Sequence, residues 1–143
     1  MNRRISIGGI ALAGLLLFVG CAGAQTGSKV FVEGGSYVNV SPEQLKEMLN
    51  SKDFMFVNTH IPYEGEISPT DAFIAFDQTA ERQSEYPADK TTKVVVYCRS
   101  GRMSEIAARI LVEKGYTNVF NLPGGMIAWE KAGLPLVNDS QRQ

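Results

Sequence analysis

The sequence predicts an α/β protein built on a mostly parallel sheet with helices on both faces. Two apolar runs, residues 54–57 and 93–97, lack the alternation of a half-exposed strand and read as strands covered on both sides. Helical patterns with apolar residues three and four apart lie between the strand-like runs, which implies βαβ units. A length of 143 residues, 44% of them hydrophobic and 20% charged, suits one domain.

The elements follow in chain order. Tyr37-Val38-Asn39-Val40 alternates as a short strand. Ser41-Pro42-Glu43-Gln44 opens a helix: serine as N-cap, proline in the first turn, glutamine three residues on. Leu45, Met48 and Leu49 give that helix one apolar face. After the inner strand at 54–57, the stretch 58–71 carries Pro62, Gly65 and Pro69 and is predicted irregular. Residues 72–76 read as a strand and 78–85 as a modest helix before Pro87. The run at 93–97 is the clearest strand. A helix from 104 to about 114 follows, with Ile106, Ala107, Ile110 and Leu111 on one face and Gly115 at the C′ position. Val119 and Phe120 suggest a last strand, and 126–131 a short helix stopped by Gly133.

Composition excludes several function classes. Lys and Arg number 14 against 15 Asp and Glu, a net charge of −1, with no basic block after the first four residues. A nucleic-acid partner held through phosphates needs a clustered cationic surface, so none is expected. Two cysteines and one histidine cannot supply the four ligands of an ordinary structural zinc, and are too few for a disulfide scaffold.

The N-terminus reads as an address. Arg3 and Arg4 precede a 16-residue apolar run, 5–20, short of the roughly 20 residues needed to cross a bilayer. A charged start, a short apolar centre and small residues at the end describe a secretory signal. Phe18-Val19-Gly20-Cys21 resembles the lipobox of bacterial lipoproteins, with Phe18 where leucine is usual. The resemblance implies lipidation of Cys21 and a membrane anchor; Ala22, in place of Asp, implies the periplasmic face of the outer membrane in a Gram-negative cell. A plain signal cut after Ala22 or Ala24 is the alternative. Cleavage before Cys21 leaves 123 residues and removes two arginines, so 12 positive against 15 negative charges give a net −3. Residues 21–36, rich in glycine and small residues, read as a flexible tether in which Val30-Phe31-Val32 is one candidate extra strand. The domain is expected over 37–137, with a tail at 138–143.

Chemistry is expected where strands end and helices begin. Cys98 follows the strongest strand, and Arg99-Ser100-Gly101-Arg102-Met103 leads into a helix. Converging backbone N–H groups and the helix dipole favour a thiolate there, and both arginines act in the same sense. Gly101 permits the tight curl. The competing reading of Cys98 is a buried small hydrophobe.

The segment 94–104 with Cys98 at its centre, followed by Ala107-Ala108, Leu111, Gly115-Tyr116 and Asn118-Val119, resembles the active-site region of a rhodanese domain. Asn121-Leu122-Pro123-Gly124-Gly125-Met126-Ile127-Ala128-Trp129 is similar to that family's Gly-Gly-x-x-x-Trp close. The resemblance spans roughly 37–135. It implies a parallel five-stranded sheet flanked by helices on both faces, and sulfur transfer through a persulfide on Cys98. It further implies that the 99–103 amides hold the terminal sulfur, that Arg99 and Arg102 attract a small anionic donor such as thiosulfate, and that a thiol or cyanide accepts the sulfur. No metal or organic cofactor is implied.

Departures from the family pattern are equally definite. Asn58-Thr59-His60 stands where Asp-Val-Arg is usual, and Gly65-Glu66-Ile67 where Gly-His-Ile is usual. Met103 replaces a frequent basic residue, leaving Arg102 as the nearer charge. His60, at the end of a central strand, is a candidate to face the site or to make a structural hydrogen bond. Glu64 and Glu66 on a Pro/Gly loop read as a solvated surface rather than a catalytic pair, and Trp129 as packing behind the Cys loop. A cysteine phosphatase or arsenate reductase is disfavoured because position 104 is Ser, where that chemistry needs Arg. A thiol–disulfide oxidoreductase lacks its Cys-x-x-Cys. A non-catalytic persulfide carrier or tethered interaction domain stays open.

Overall fold

The structure, a computed structural model, describes residues 27–142. The signal segment, Cys21 and the first part of the tether therefore lie outside the described residues.

One sheet organises the chain, in the order β1-β2-β6-β5-β3-β4. Its strands are β1 (Ser28–Val32), β2 (Gly35–Asn39), β3 (Met55–Asn58), β4 (Ala72–Phe73), β5 (Val94–Tyr97) and β6 (Val119–Asn121). The five from β2 to β4 run parallel, as the resemblance implied. The sixth, β1, joins the edge antiparallel to β2. Most of the stretch read as a tether is thus a hairpin, turning at Glu33-Gly34 with Gly34 at φ 84°. The candidate strand at Val30-Phe31-Val32 forms within β1, but the glycine-rich composition misled over the rest: Val30 and Val32 pack on the core while Lys29 and Phe31 face out.

Helices α1 (Pro42–Asn50), α2 (Arg102–Glu113) and α3 (Gly125–Lys131) cover the two faces. The Ser41–Gln44 capping box forms at the start of α1 as the sequence predicts. Alternate residues of β5 explain its unbroken apolar run. Val94 and Val96 enter a core with Ala108, Leu111 and Val112 of α2. Val95 and Tyr97 enter the opposite core with Leu45 of α1 and Met126 and Trp129 of α3. Helix α2 ends in a Schellman turn, Gly115 N–H donating to the Val112 carbonyl and Tyr116 N–H to that of Leu111.

Several boundaries differ from the sequence reading. Helix α2 begins two residues early, at Arg102, because Gly101 takes φ 97° and starts the turn itself. Its buried face is Ser104, Ala107, Ala108, Leu111 and Val112, and Ile106 is 38% exposed. The 78–85 helix does not form; two single 3-10 turns, Phe76–Gln78 and Gln83–Glu85, flank a bend. With Ala80 as its sole apolar residue, that stretch had no face to bury, and short helices need one. The expected 72–76 strand pairs over Ala72 and Phe73 alone. The tail is also tied down. A 3-10 turn at Ser140–Arg142 brings the Arg142 guanidinium to 3.4 Å from Glu66, and the Asp139 amide donates to the Tyr63 hydroxyl.

Burial of the core tyrosines sets an alkaline limit. Desolvation pushes the Tyr86 hydroxyl up to about 12 and raises Tyr97 as well. An unfolded tyrosine ionises near pH 10, so above that pH the unfolded chain gives up protons that the native chain keeps. Stability is full below about pH 10 and falls as pH rises toward about 12. Urea midpoints followed across this range are expected to drop steadily; a flat profile would contradict the burial.

Candidate active site

The site forms where β3 and β5 end side by side. Asn58 pairs with Tyr97 in register, and the Thr59 amide and hydroxyl both donate to the Tyr97 carbonyl. Residue 98 therefore leaves the sheet next to residues 59 and 60. The chain then turns through Arg99 and Ser100, both exposed, to Gly101, and enters α2.

Cys98 sits at the floor of this loop and is 0% exposed. The Gly101 amide donates to its Sγ at 3.0 Å, closing the loop into a cradle around the sulfur. The first N–H groups of a helix lack intrahelical acceptors, and those of α2 begin one residue later. The Ser104 hydroxyl and the Glu105 amide both donate to the Gly101 carbonyl, which locks the loop to the helix. Arg102 and Met103 belong to the first turn of α2, Arg102 exposed and Met103 half-buried.

The Gly-Gly segment holds the loop from below. Met126 and Ile127 amides, at the start of α3, donate to the carbonyls of Cys98 and Arg99 at 2.9 and 3.0 Å. The approach admits no side chain: a Cβ on Gly125 would lie 2.1 Å from the Cys98 oxygen, and one on Gly101 would lie 2.6 Å from the Gly124 nitrogen. Trp129, on α3, is buried in the core, its indole N–H donating to the Pro135 carbonyl, which agrees with a packing role.

His60 is buried at the end of β3, and its ring bonds to a carboxylate of the neighbouring loop. Its Nε2 donates to Glu64 Oε2, and that same oxygen lies 3.6 Å from Arg99 Nη1. The His60 hydrogen bond, reinforced by the charge of Arg99, holds the Glu64 carboxyl below the usual carboxylate range. Glu64, read from sequence as solvated surface, is thus part of the site. Its signal was present only as four-residue spacing from His60 on an irregular loop. Glu64 is exposed, as the sequence reading had it, but Glu66 is not: it is buried, paired with Arg142 and accepting from the Tyr63 hydroxyl.

Three further residues build the site without a sequence signal of their own. Asn58 accepts from the His60 amide and donates to the Gly65 carbonyl, folding the 58–65 loop back over the strand end. The Tyr97 hydroxyl accepts from the Ile67 amide and shares a hydrogen bond with Thr70, fixing the far side of that loop. Ser104 completes the set from inside α2. The arrangement therefore offers one cysteine sulfur, a backbone donor on that sulfur, and the Arg99 guanidinium on the same loop. Among the described residues no group of His, Cys, Asp and Glu could hold a metal ion.

Comparison with known proteins agrees with this geometry. The rhodanese-like domain family matches residues 41–132. A sulfurtransferase of Allochromatium vinosum is 52% identical over 56 residues, which cover 39% of this chain and half of that protein. The thiosulfate sulfurtransferase GlpE of Actinobacillus pleuropneumoniae is 28% identical over 102 residues, 71% of this chain and 94% of that one. A tRNA uridine(34) hydroxylase of Chlamydia muridarum is 30% identical over 99 residues, but this chain spans only 30% of its length. The fold is shared with a rhodanese-related protein of Thermoplasma volcanium, with TM-score 0.61 and 24% identity, covering 71% of this chain and 98% of that one. With its Cys98 loop cradled on the Gly-Gly segment and the family pattern running from the N-cap of α1 to the end of α3, this chain belongs to the rhodanese-like family.

Proposed function

We propose that this chain transfers sulfane sulfur through a persulfide on Cys98, from a small anionic donor such as thiosulfate to a thiol or cyanide. The observation that carries the reading is the Gly101 amide on the Cys98 sulfur at the mouth of α2, a donor placed for an anionic sulfur. The Cys98 thiolate attacks the outer sulfur of thiosulfate. The sulfur–sulfur bond of the donor breaks, its electron pair leaves with sulfite, and Cys98 carries a terminal S⁻. The acceptor thiolate or cyanide then attacks that terminal sulfur, and its bond to Cys98 breaks to restore the thiolate. Both displacements balance without a metal or organic cofactor. Arg99, beside the nucleophile and half-exposed, draws the donor in and offsets charge as sulfite departs.

The complete burial of Cys98 supports a second reading, a slow carrier that keeps its persulfide from water. One experiment separates the two. The protein is incubated with thiosulfate, its intact mass is recorded, and cyanide is added. A gain of one sulfur on Cys98 followed by catalytic thiocyanate is expected; a stable gain without turnover identifies the carrier, and no gain at all removes both. We further propose export and lipidation at Cys21, supported by the charged start, the short apolar run and the lipobox-like Phe18-Val19-Gly20-Cys21.

A further inference from the structure

The site already contains an anion. Glu64 Oε2 accepts from His60 and lies 3.6 Å from the guanidinium of Arg99, the residue that follows Cys98, so one carboxylate engages the cation of the Cys98 loop. Its side chain is 41% exposed and that of Arg99 48%, while Cys98 beneath them is fully buried.

Glu64 is not needed as a fastener of its loop. The loop is held by Asn58 on the Gly65 carbonyl, by paired backbone bonds between Glu66 and Val137, and by the Tyr63 hydroxyl, which accepts from Asp139 and donates to Glu66. The carboxylate is instead held against Arg99, where it offsets the charge that an anionic donor needs.

We propose that Glu64 is a built-in competitor for the anion position over Cys98, and that it sets the site's selectivity between anionic and neutral reagents. A donor bearing an anionic group must displace the carboxylate from Arg99, whereas a neutral reagent need not. The proposal rests on the sulfur-transfer reading for its physiological meaning, but the selectivity itself requires only that Cys98 react.

Alkylation gives a direct test, because iodoacetate and iodoacetamide react alike with a thiolate and differ in charge. The full chain and its Glu64→Gln variant are treated with each reagent. The rate at Cys98 is read from the tryptic peptide 94–99, which Cys21 cannot confuse. Removing one unit charge within a few ångström of the site is expected to raise the iodoacetate-to-iodoacetamide rate ratio by about tenfold. Glu64→Asp, which keeps the charge, is expected to retain a ratio close to that of the unaltered chain. An unchanged or lower ratio in Glu64→Gln, or a Cys98 that neither reagent reaches in that variant, overturns the proposal. If the ratio rises while thiosulfate leaves no sulfur on Cys98, the competitor stands and the sulfur-transfer reading falls.

Discussion

Gly125→Ala is expected to destabilise the domain by about 3 kcal/mol or more, combining overpacking with a left-handed backbone that L side chains resist. The new methyl would lie 2.1 Å from the Cys98 carbonyl oxygen and 2.8 Å from both the carbon and the oxygen of the Arg99 carbonyl, all backbone atoms that cannot swing aside. Gly125 also sits at φ 53°. Relief requires α3 to move away, which lengthens the Met126 and Ile127 bonds to the Cys loop. A domain of this size has a stability of only about 5–15 kcal/mol, so the loss is readily measured by urea denaturation. Sulfur uptake by Cys98 should fall further than the folded fraction does, since the cradle itself is displaced. A variant with an unaltered urea midpoint would show that α3 does not brace the loop.

Cys98→Ser is expected to bring thiocyanate formation from thiosulfate and cyanide down to the uncatalysed rate, with no sulfur gained by mass. A serine hydroxyl can accept the Gly101 amide in place of the sulfur, so the loop keeps its hydrogen bond and stability should change by only about 1 kcal/mol. The contrast with Gly125→Ala is the informative part. One variant removes the reacting atom from a standing cradle, and the other leaves the atom and dislodges the cradle. Turnover surviving in Cys98→Ser, with a normal urea midpoint, would exclude the persulfide route.

What was legible in the chain follows from local physics. The apolar run of 93–97, the Ser41–Gln44 box and the glycine after α2 each reflect preferences that neighbours in sequence decide, and the structure has all three. Cys98 was legible as a loop residue because it interrupts an apolar run with a basic, glycine-containing turn. Both strands of the hairpin at 28–39 were signalled, at 30–32 and 37–40, but their antiparallel pairing was not, because glycines on either side read as a tether. The segment 78–85 erred in the opposite direction: its residues tolerate a helix, but with Ala80 alone they have no apolar face to bury.

The site divides along the same line. Sequence alone singled out Cys98 and its loop from a short stretch of backbone, and the family resemblance added Gly124-Gly125. It did not place Glu64 against Arg99, Asn58 across to Gly65, or the Tyr97 hydroxyl on Ile67. Those contacts join residues brought together by an irregular loop folding over adjacent strand ends, and no periodicity encodes such a path. The chain by itself singled out the atom proposed to react; only the tertiary fold decided which charges lie near its loop, because electrostatic neighbours are set by distance in space and not by order along the chain.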